Sequence, residues 1–298
     1  MKIPFRLLTA AALAATLTGC TSTSNAATEP SAPQRIAAIS PDVAETVAAL
    51  GAGDRLVLVP DTQTNPALTN HLPVMQAVGA TLAAHGTADP EQILATDPDL
   101  AIITPRHEGE SDTAALLEAS SVEVLTLPNS WQTVDEMLAN IDTIGDAIGA
   151  SEAADELTAS ISTELAGIDP VAGDAPSVLV LSNQAGRPMV NAGRGFTLDL
   201  LARAGGRNAA DEVGLTRTGF ADPEQIVRAQ PQAILLVDIL GAGRESFASI
   251  LANPAVADLE AVREDRILLL DGKHTQALGL GTTVEGVRQI RDWLAGLG

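Results

Sequence analysis

Six residues occur twice in this chain, Ala-Asp-Pro-Glu-Gln-Ile at 88–93 and again at 221–226. Their chemistry lies in two carboxylates, Glu91 and Glu224. Asp89 and Asp222 suit a helix N-cap, and Pro90 and Pro223 suit the first helical position. Each glutamate then stands in a first helical turn, where the helix dipole favours an anion. Two roles fit. A carboxylate there stabilises the helix start, and an exposed one pairs well with a planar guanidinium on another molecule.

The other residues able to recognise a ligand are scattered. Arg106, Arg187, Arg194, Arg217 and Arg244 lie in turn-rich segments, as solvated charges or as partners for ligand carboxylates. Trp131 follows a predicted strand end, where it either stacks on a flat ligand or packs inside. Trp293, in the terminal helix, reads as core. The four histidines, His71, His85, His107 and His274, show no tight spacing of the His-x-x-x-His kind. No Gly-x-Ser-x-Gly, Ser-x-x-Lys, phosphate-loop or zinc-protease signature is present. The sequence assigns no catalytic residue and no intrinsic cofactor, and an exported hydrolase would have to be built on scattered residues.

These residues must be positioned by what lies around them. Lys2 and Arg6 precede an apolar run at 7–17 that is too short for a permanent bilayer span, so residues 1–19 read as a cleaved leader. Leu17-Thr18-Gly19-Cys20 is similar to the lipobox of bacterial lipoproteins, in which the cysteine is acylated. Acyl chains hold a protein on a membrane at about 0.8 kcal/mol per buried methylene. Residues 20–34 then form a Ser/Thr/Ala/Pro-rich tether. Cys20 is the one cysteine, so the rest of the chain has no disulfide and no thiolate site. The formal charge of −21 becomes −23 once Lys2 and Arg6 are removed. Such acidity argues against nucleic acid as a partner.

After the tether, short apolar runs alternate with helical patterns, which predicts an α/β fold. Strands are predicted at 35–39, 56–59, 100–104 and 122–127, and again at 177–181, 233–238 and 267–270. Helices are predicted at 41–50, 133–148 and 198–204, with Gly145 and Gly149 ending the second. Ser151 is expected to cap a further helix reaching about residue 168, which at 1.5 Å per residue spans roughly 27 Å. The repeat suggests one α/β unit used in each of two lobes, 35–150 and 170–298, bridged by the helix at 151–169. A cleft between lobes is where small ligands bind. Its walls should be the loops after strand ends: Ser40, 61–65, 83–86, 104–108 and 129–131 in the first lobe; 183–187, 191–195, 217–220, 239–244 and 273–276 in the second. Glu45, in a helix near the cleft, reads as structural.

The segments 35–45, 50–55, 91–103, 134–149 and 204–208 together resemble, in matching order, the solute-binding proteins for ferric siderophores, haem and cobalamin. The resemblance implies two Rossmann-like lobes on a single long helix, acting as a monomer. It also implies that each lobe offers one glutamate to arginines on the permease of an ABC importer, and Glu91 and Glu224 match those positions. The transported ligand would be an iron chelate, a ferric siderophore or haem, with cobalamin as the alternative. Haem-binding members ligate iron through His or Tyr, and His85, six residues before Glu91, is the best-placed candidate, the other reading being a polar loop residue. The chain has no tyrosine, and Thr218 stands at the related place before Glu224, so a His/Tyr pair is excluded. A siderophore already saturates its iron and needs only arginines and aromatics from the protein. A bare transition metal would need three or four converging His, Asp or Glu ligands.

Overall fold

A computed structural model describes Met1, 31–83, 88–104, 109–184, 186–239 and 241–297. Cys20 and the tether up to residue 30 lie outside these residues, as do His85, Arg106 and His107. Residues Ala32–Gly298 form one compact unit. Among the described residues no helix is long and apolar enough to cross a membrane.

The first half runs β1 (Ile36–Ala38), α1 (Pro41–Ala49), β2 (Leu56–Pro60), α2 (Leu72–Ala77), β3 (Thr81–Leu82), α3 (Pro90–Leu94), β4 (Leu100–Ile103), α4 (Gly109–Ala119) and β5 (Glu123–Thr126). Its strands form a parallel sheet in the order β3-β2-β1-β4-β5. The chain then passes through α5 (Val134–Ile148) and α6 (Ser151–Ala166) into β6 (Ser177–Gln184) and β7 (Arg187–Val190). There follow α7 (Phe196–Arg203), β8 (Arg207–Asn208), α8 (Ala209–Glu212), β9 (Gly219–Phe220), α9 (Pro223–Ala229) and β10 (Ala233–Asp238). The chain ends with α10 (Ala248–Leu251), α11 (Pro254–Ala257), α12 (Glu260–Arg263), β11 (Ile267–Asp271), α13 (Gly272–Thr275) and α14 (Thr282–Ala295). The second sheet has the order β11-β10-β6-β7-β9, with β8 also on β6, and β7 is antiparallel to both its neighbours.

Strands covered by helices on both faces read as near-continuous apolar runs, and β1, β2 and β4 are apolar throughout, as is β10 up to Asp238. In the first sheet Ile36, Leu100 and Ile102 face one way, and Ala37, Leu58, Ala101 and Ile103 face the other onto Ile93 and Leu117. In the second, Leu179, Leu181, Ile234 and Leu236 pack on Ile226, Phe247 and Val256. The opposite faces of the two sheets share one continuous core, in which Val178, Val180, Leu235 and Val237 join Ile36 and Ile102 through α1, α5, α7 and α14. Each fully buried Leu or Ile there contributes about 1.5–3 kcal/mol.

Of the helix boundaries that depart from the sequence expectation, two have a direct physical reason. Gly145 does not end a helix but lies inside α5, where a Cβ would sit 2.4 Å from the Ala154 Cβ of α6. It is the close approach of two helices that requires glycine there. Gly149, left-handed at φ 69°, ends α5. Ser151 is the first residue of α6 rather than its cap, and its hydroxyl donates back to Asp146 at 2.7 Å.

Candidate functional site

In the first sheet the chain leaves β1 to one side for β2 and comes back on the other side as β4. The carboxyl ends of β1 and β4 therefore flank a topological switch point, the usual place for a ligand crevice in an open α/β sheet. Ser40 and Thr104 stand there, both buried, with their hydroxyls 2.9 Å apart. The Trp131 indole N–H donates to Thr104 Oγ1 at 3.2 Å. Trp131 is only 2% exposed and has a left-handed φ of 61°, fixed in part by its backbone N–H donating to Asn129 Oδ1. The indole is therefore a packing element beside the carboxyl end of β4, and this conformation offers no open Trp131 face for stacking.

A buried carboxylate ties down one loop in each half. Glu45, fully buried on α1, accepts from Gln63 Nε2 at 3.0 Å, from the Thr69 hydroxyl and from the Asn70 backbone N–H at 3.2 Å. His71 Nδ1 lies 2.9 Å from Oε2, the oxygen that also accepts from Asn70, while Gln63 and Thr69 share Oε1. This ties down the stretch after β2. In the second half Asp238, 3% exposed at the end of β10, accepts from Asn183 Nδ2 at 2.6 Å and from the Ala242 and Gly243 N–H groups. The two tied loops meet. A Cβ on Gly241 would lie 3.0 Å from Ala67 Cβ, one on Gly272 would lie 3.0 Å from Leu68 Cδ2, and Lys273 N–H donates to the Ala67 carbonyl at 3.3 Å.

The loop arginines separate into two groups. Arg194 is ion-paired to Glu136 at 2.9 Å and Arg244 to Asp265 at 2.7 Å. Arg187 and Arg217 are exposed and make no ion pair among the described residues. Arg187 lies over the ring of Phe220, 4.1 Å from its centroid, on the β7–β9 pairing at the edge of the second sheet. Phe220 is 54% exposed, in a chain with only four phenylalanines. Its ring is half exposed with Arg187 over one face, and an aromatic ring paired with a guanidinium suits a flat, carboxylate-bearing ligand. Its sequence signal is its place directly before the second copy of the repeat, in a segment where neighbouring Arg217 draws more attention.

The segment 273–276, expected as loop, begins inside the single-turn α13. There burial, and then the charge of Lys273, hold the His274 imidazole below its usual pKa. Among the described residues no three His, Cys, Asp or Glu side chains converge as a metal site.

Glu91 and Glu224 occupy matching positions. Asp89 caps α3 by accepting from the Glu91 N–H at 2.9 Å, and Asp222 caps α9 by accepting from the Glu224 N–H at 2.8 Å. Both helices lead into a buried parallel strand, so their starts stand near the carboxyl ends of β4 and β10. Both glutamate residues are exposed. The capping is done by the aspartates, which leaves the glutamate carboxylates to solvent or to a partner.

A family model described as periplasmic binding protein matches residues 36–273. The chain is 24% identical over 271 residues to an uncharacterized ABC transporter substrate-binding lipoprotein, YvrC, of Bacillus subtilis, covering 87% of this chain and 79% of the relative. It is similar to the apo structure of the periplasmic haem-binding protein RhuT from Roseiflexus sp. RS-1, with a TM-score of 0.71 and 25% identity over 89% of this chain and 98% of that one. A periplasmic haem-binding protein from Pseudomonas aeruginosa matches with a TM-score of 0.70 and 26% identity over 89% and 93% of the two chains.

Proposed function

The chain belongs to the periplasmic binding protein family, and from that premise we propose that it is the substrate-binding component of an ABC importer for an iron chelate, a ferric siderophore or haem. It binds its ligand between the two halves and hands it to a membrane permease without chemical change. The observation that carries the importer reading is the pair of exposed glutamates, Glu91 and Glu224, at the same place on the same helix of each half. Two carboxylates so placed would meet two guanidinium groups of a permease and fix orientation. The lobes are 35–150 and 170–298, bridged by 151–169. Cys20 carries the lipid anchor on the outer face of the cell membrane, a reading supported by the sequence around it and by the lipoprotein relative.

The chelate is supported by Arg187, stacked over the exposed Phe220 ring, by the exposed Arg217 three residues before that ring in sequence, and by the haem-binding relatives. In a haem complex the propionates would face these guanidiniums, and His85 would be the iron ligand. The absence of tyrosine favours a chelate that needs no ligand from the protein.

Titration of residues 21–298 with haemin, a ferric hydroxamate and cobalamin, followed by tryptophan emission and visible absorbance, tests the ligand. Saturable submicromolar binding of haemin or the hydroxamate is expected, weakened at least tenfold in Arg187→Ala. A Soret change lost in His85→Ala would single out haem, and tight binding of cobalamin alone would overturn the iron chelate. For delivery, the double variant Glu91→Ala, Glu224→Ala should keep ligand affinity and lose uptake. Normal uptake by it in cells lacking the wild-type copy would end the docking reading.

A further inference from the structure

The surface around Glu224 offers more than a carboxylate. α9 and α11 pack side by side and leave an open notch of about 570 Å³. It is lined by the apolar Pro223, Val227 and Ala255, by Asn253, and by three charged residues, Asp222, Glu224 and Arg228, of which Asp222 is taken up in capping α9. The α11 wall is held by its own cap, since Asn253 Oδ1 accepts from the Ala255 N–H at 3.1 Å. Arg228 is exposed and makes no hydrogen bond or ion pair among the described residues. The first copy of the repeat has no such cation, because Leu94 and Ala95 stand where the second has Val227 and Arg228.

We propose that this notch is a socket for the permease. Its occupant is a loop carrying an apolar side chain between a basic group, which pairs with Glu224, and an acidic group, which pairs with Arg228. The proposal rests on the importer reading and goes beyond it in naming the partner's chemistry. The physical reason is that exposed ion pairs contribute little to affinity on their own. An apolar anchor seated in a pocket and ringed by polar pairs is the usual source of binding energy at an interface. The opposite charges on the rim set the register of the loop and reject one with the charges reversed. The two halves therefore dock unequally, the first through Glu91 and the second through Glu224, the notch and Arg228 together.

The test uses residues 21–298, which contain the whole compact unit Ala32–Gly298. It measures the concentration that half-maximally stimulates ATP hydrolysis by the permease–ATPase complex, purified from the producing cell and held in nanodiscs. Ala255→Arg fills the notch and Arg228→Glu reverses its rim, both at exposed positions. Each should raise that concentration tenfold or more at an unchanged melting temperature, whereas Arg228→Lys should stay within threefold of wild type. If Glu224→Ala weakens stimulation but Ala255→Arg and Arg228→Glu remain within twofold of wild type, the socket is wrong and the importer reading stands. If the wild-type chain gives no stimulation, or Glu91→Ala and Glu224→Ala leave it unchanged, both fall together.

Discussion

Asp99 and Gln232 hold the same place in the two copies of the repeat. Asp99 accepts from the Arg35 N–H at 2.9 Å and returns its own N–H to the Arg35 carbonyl at 2.9 Å. Gln232 accepts from the Ser177 N–H at 2.8 Å and returns its N–H to the Ser177 carbonyl at 2.9 Å. Each ties the first strand of its half to the strand after the repeat. The copies also share a left-handed residue before the proline, Asp97 at φ 48° and Gln230 at φ 42°. The likeness ends at the cleft loops. In the first half the anchor is a glutamate on a helix, reaching mostly side-chain donors 18 to 26 residues away. In the second it is an aspartate at a strand end, taking backbone N–H groups four and five residues on as well as Asn183. The strand-start geometry is a shared unit, while each cleft loop is an independent solution.

Four substitutions probe that contrast. The largest effect is expected from Glu45→Ala, which leaves several buried donors without an acceptor and should cost about 4 kcal/mol in urea unfolding. Asp238→Ala should cost less, about 2 kcal/mol, with most of the change local and visible as faster proteolysis at 239–246. A larger loss for Asp238→Ala than for Glu45→Ala would reverse the ranking of the two anchors. Asp89→Ala and Asp222→Ala should each cost about 1 kcal/mol through the lost N-cap. Values differing by more than that amount would break the equivalence of the copies.

The smallest effect is a pH dependence at His274. Its folded pKa is depressed, so between the unfolded value near 6.5 and the lower folded value the unfolded state binds the extra proton. Stability is therefore full above about pH 6.5 and declines as pH falls toward the folded pKa. His274→Gln should flatten the stability profile across that window, and an unchanged slope would remove His274 as its cause.

Much of the fold was legible because its signals are local. Apolar runs gave seven of the eleven strands among the described residues, with 233–238 matching β10 end to end. The Asp-Pro-Glu pattern gave both helix starts with their caps. The cleft was harder to read. Trp131 was open to either role, and what decides for packing is a positive φ and a hydrogen bond to Thr104, 27 residues earlier. Glu45 was recognised as structural, but its partners lie beyond a strand and a turn, and no periodicity points to them. Arg194 and Arg244 look like Arg187 and Arg217 in sequence. They differ because Glu136 and Asp265 are brought beside them by folding. Short β7 and β9, which expose Phe220, carry too few residues for an alternating pattern to stand out.

Trp131 has one more consequence. Its indole is dry, rigid and one hydrogen bond from the carboxyl end of β4, while Trp293 sits partly buried in α14. The chain therefore carries two native fluorophores and no tyrosine to blur them. Under the proposed function, a coloured iron chelate bound at the carboxyl end of β4 would drain emission from Trp131 by energy transfer, a colourless one would not, and Trp293→Phe would leave Trp131 as the single built-in reporter.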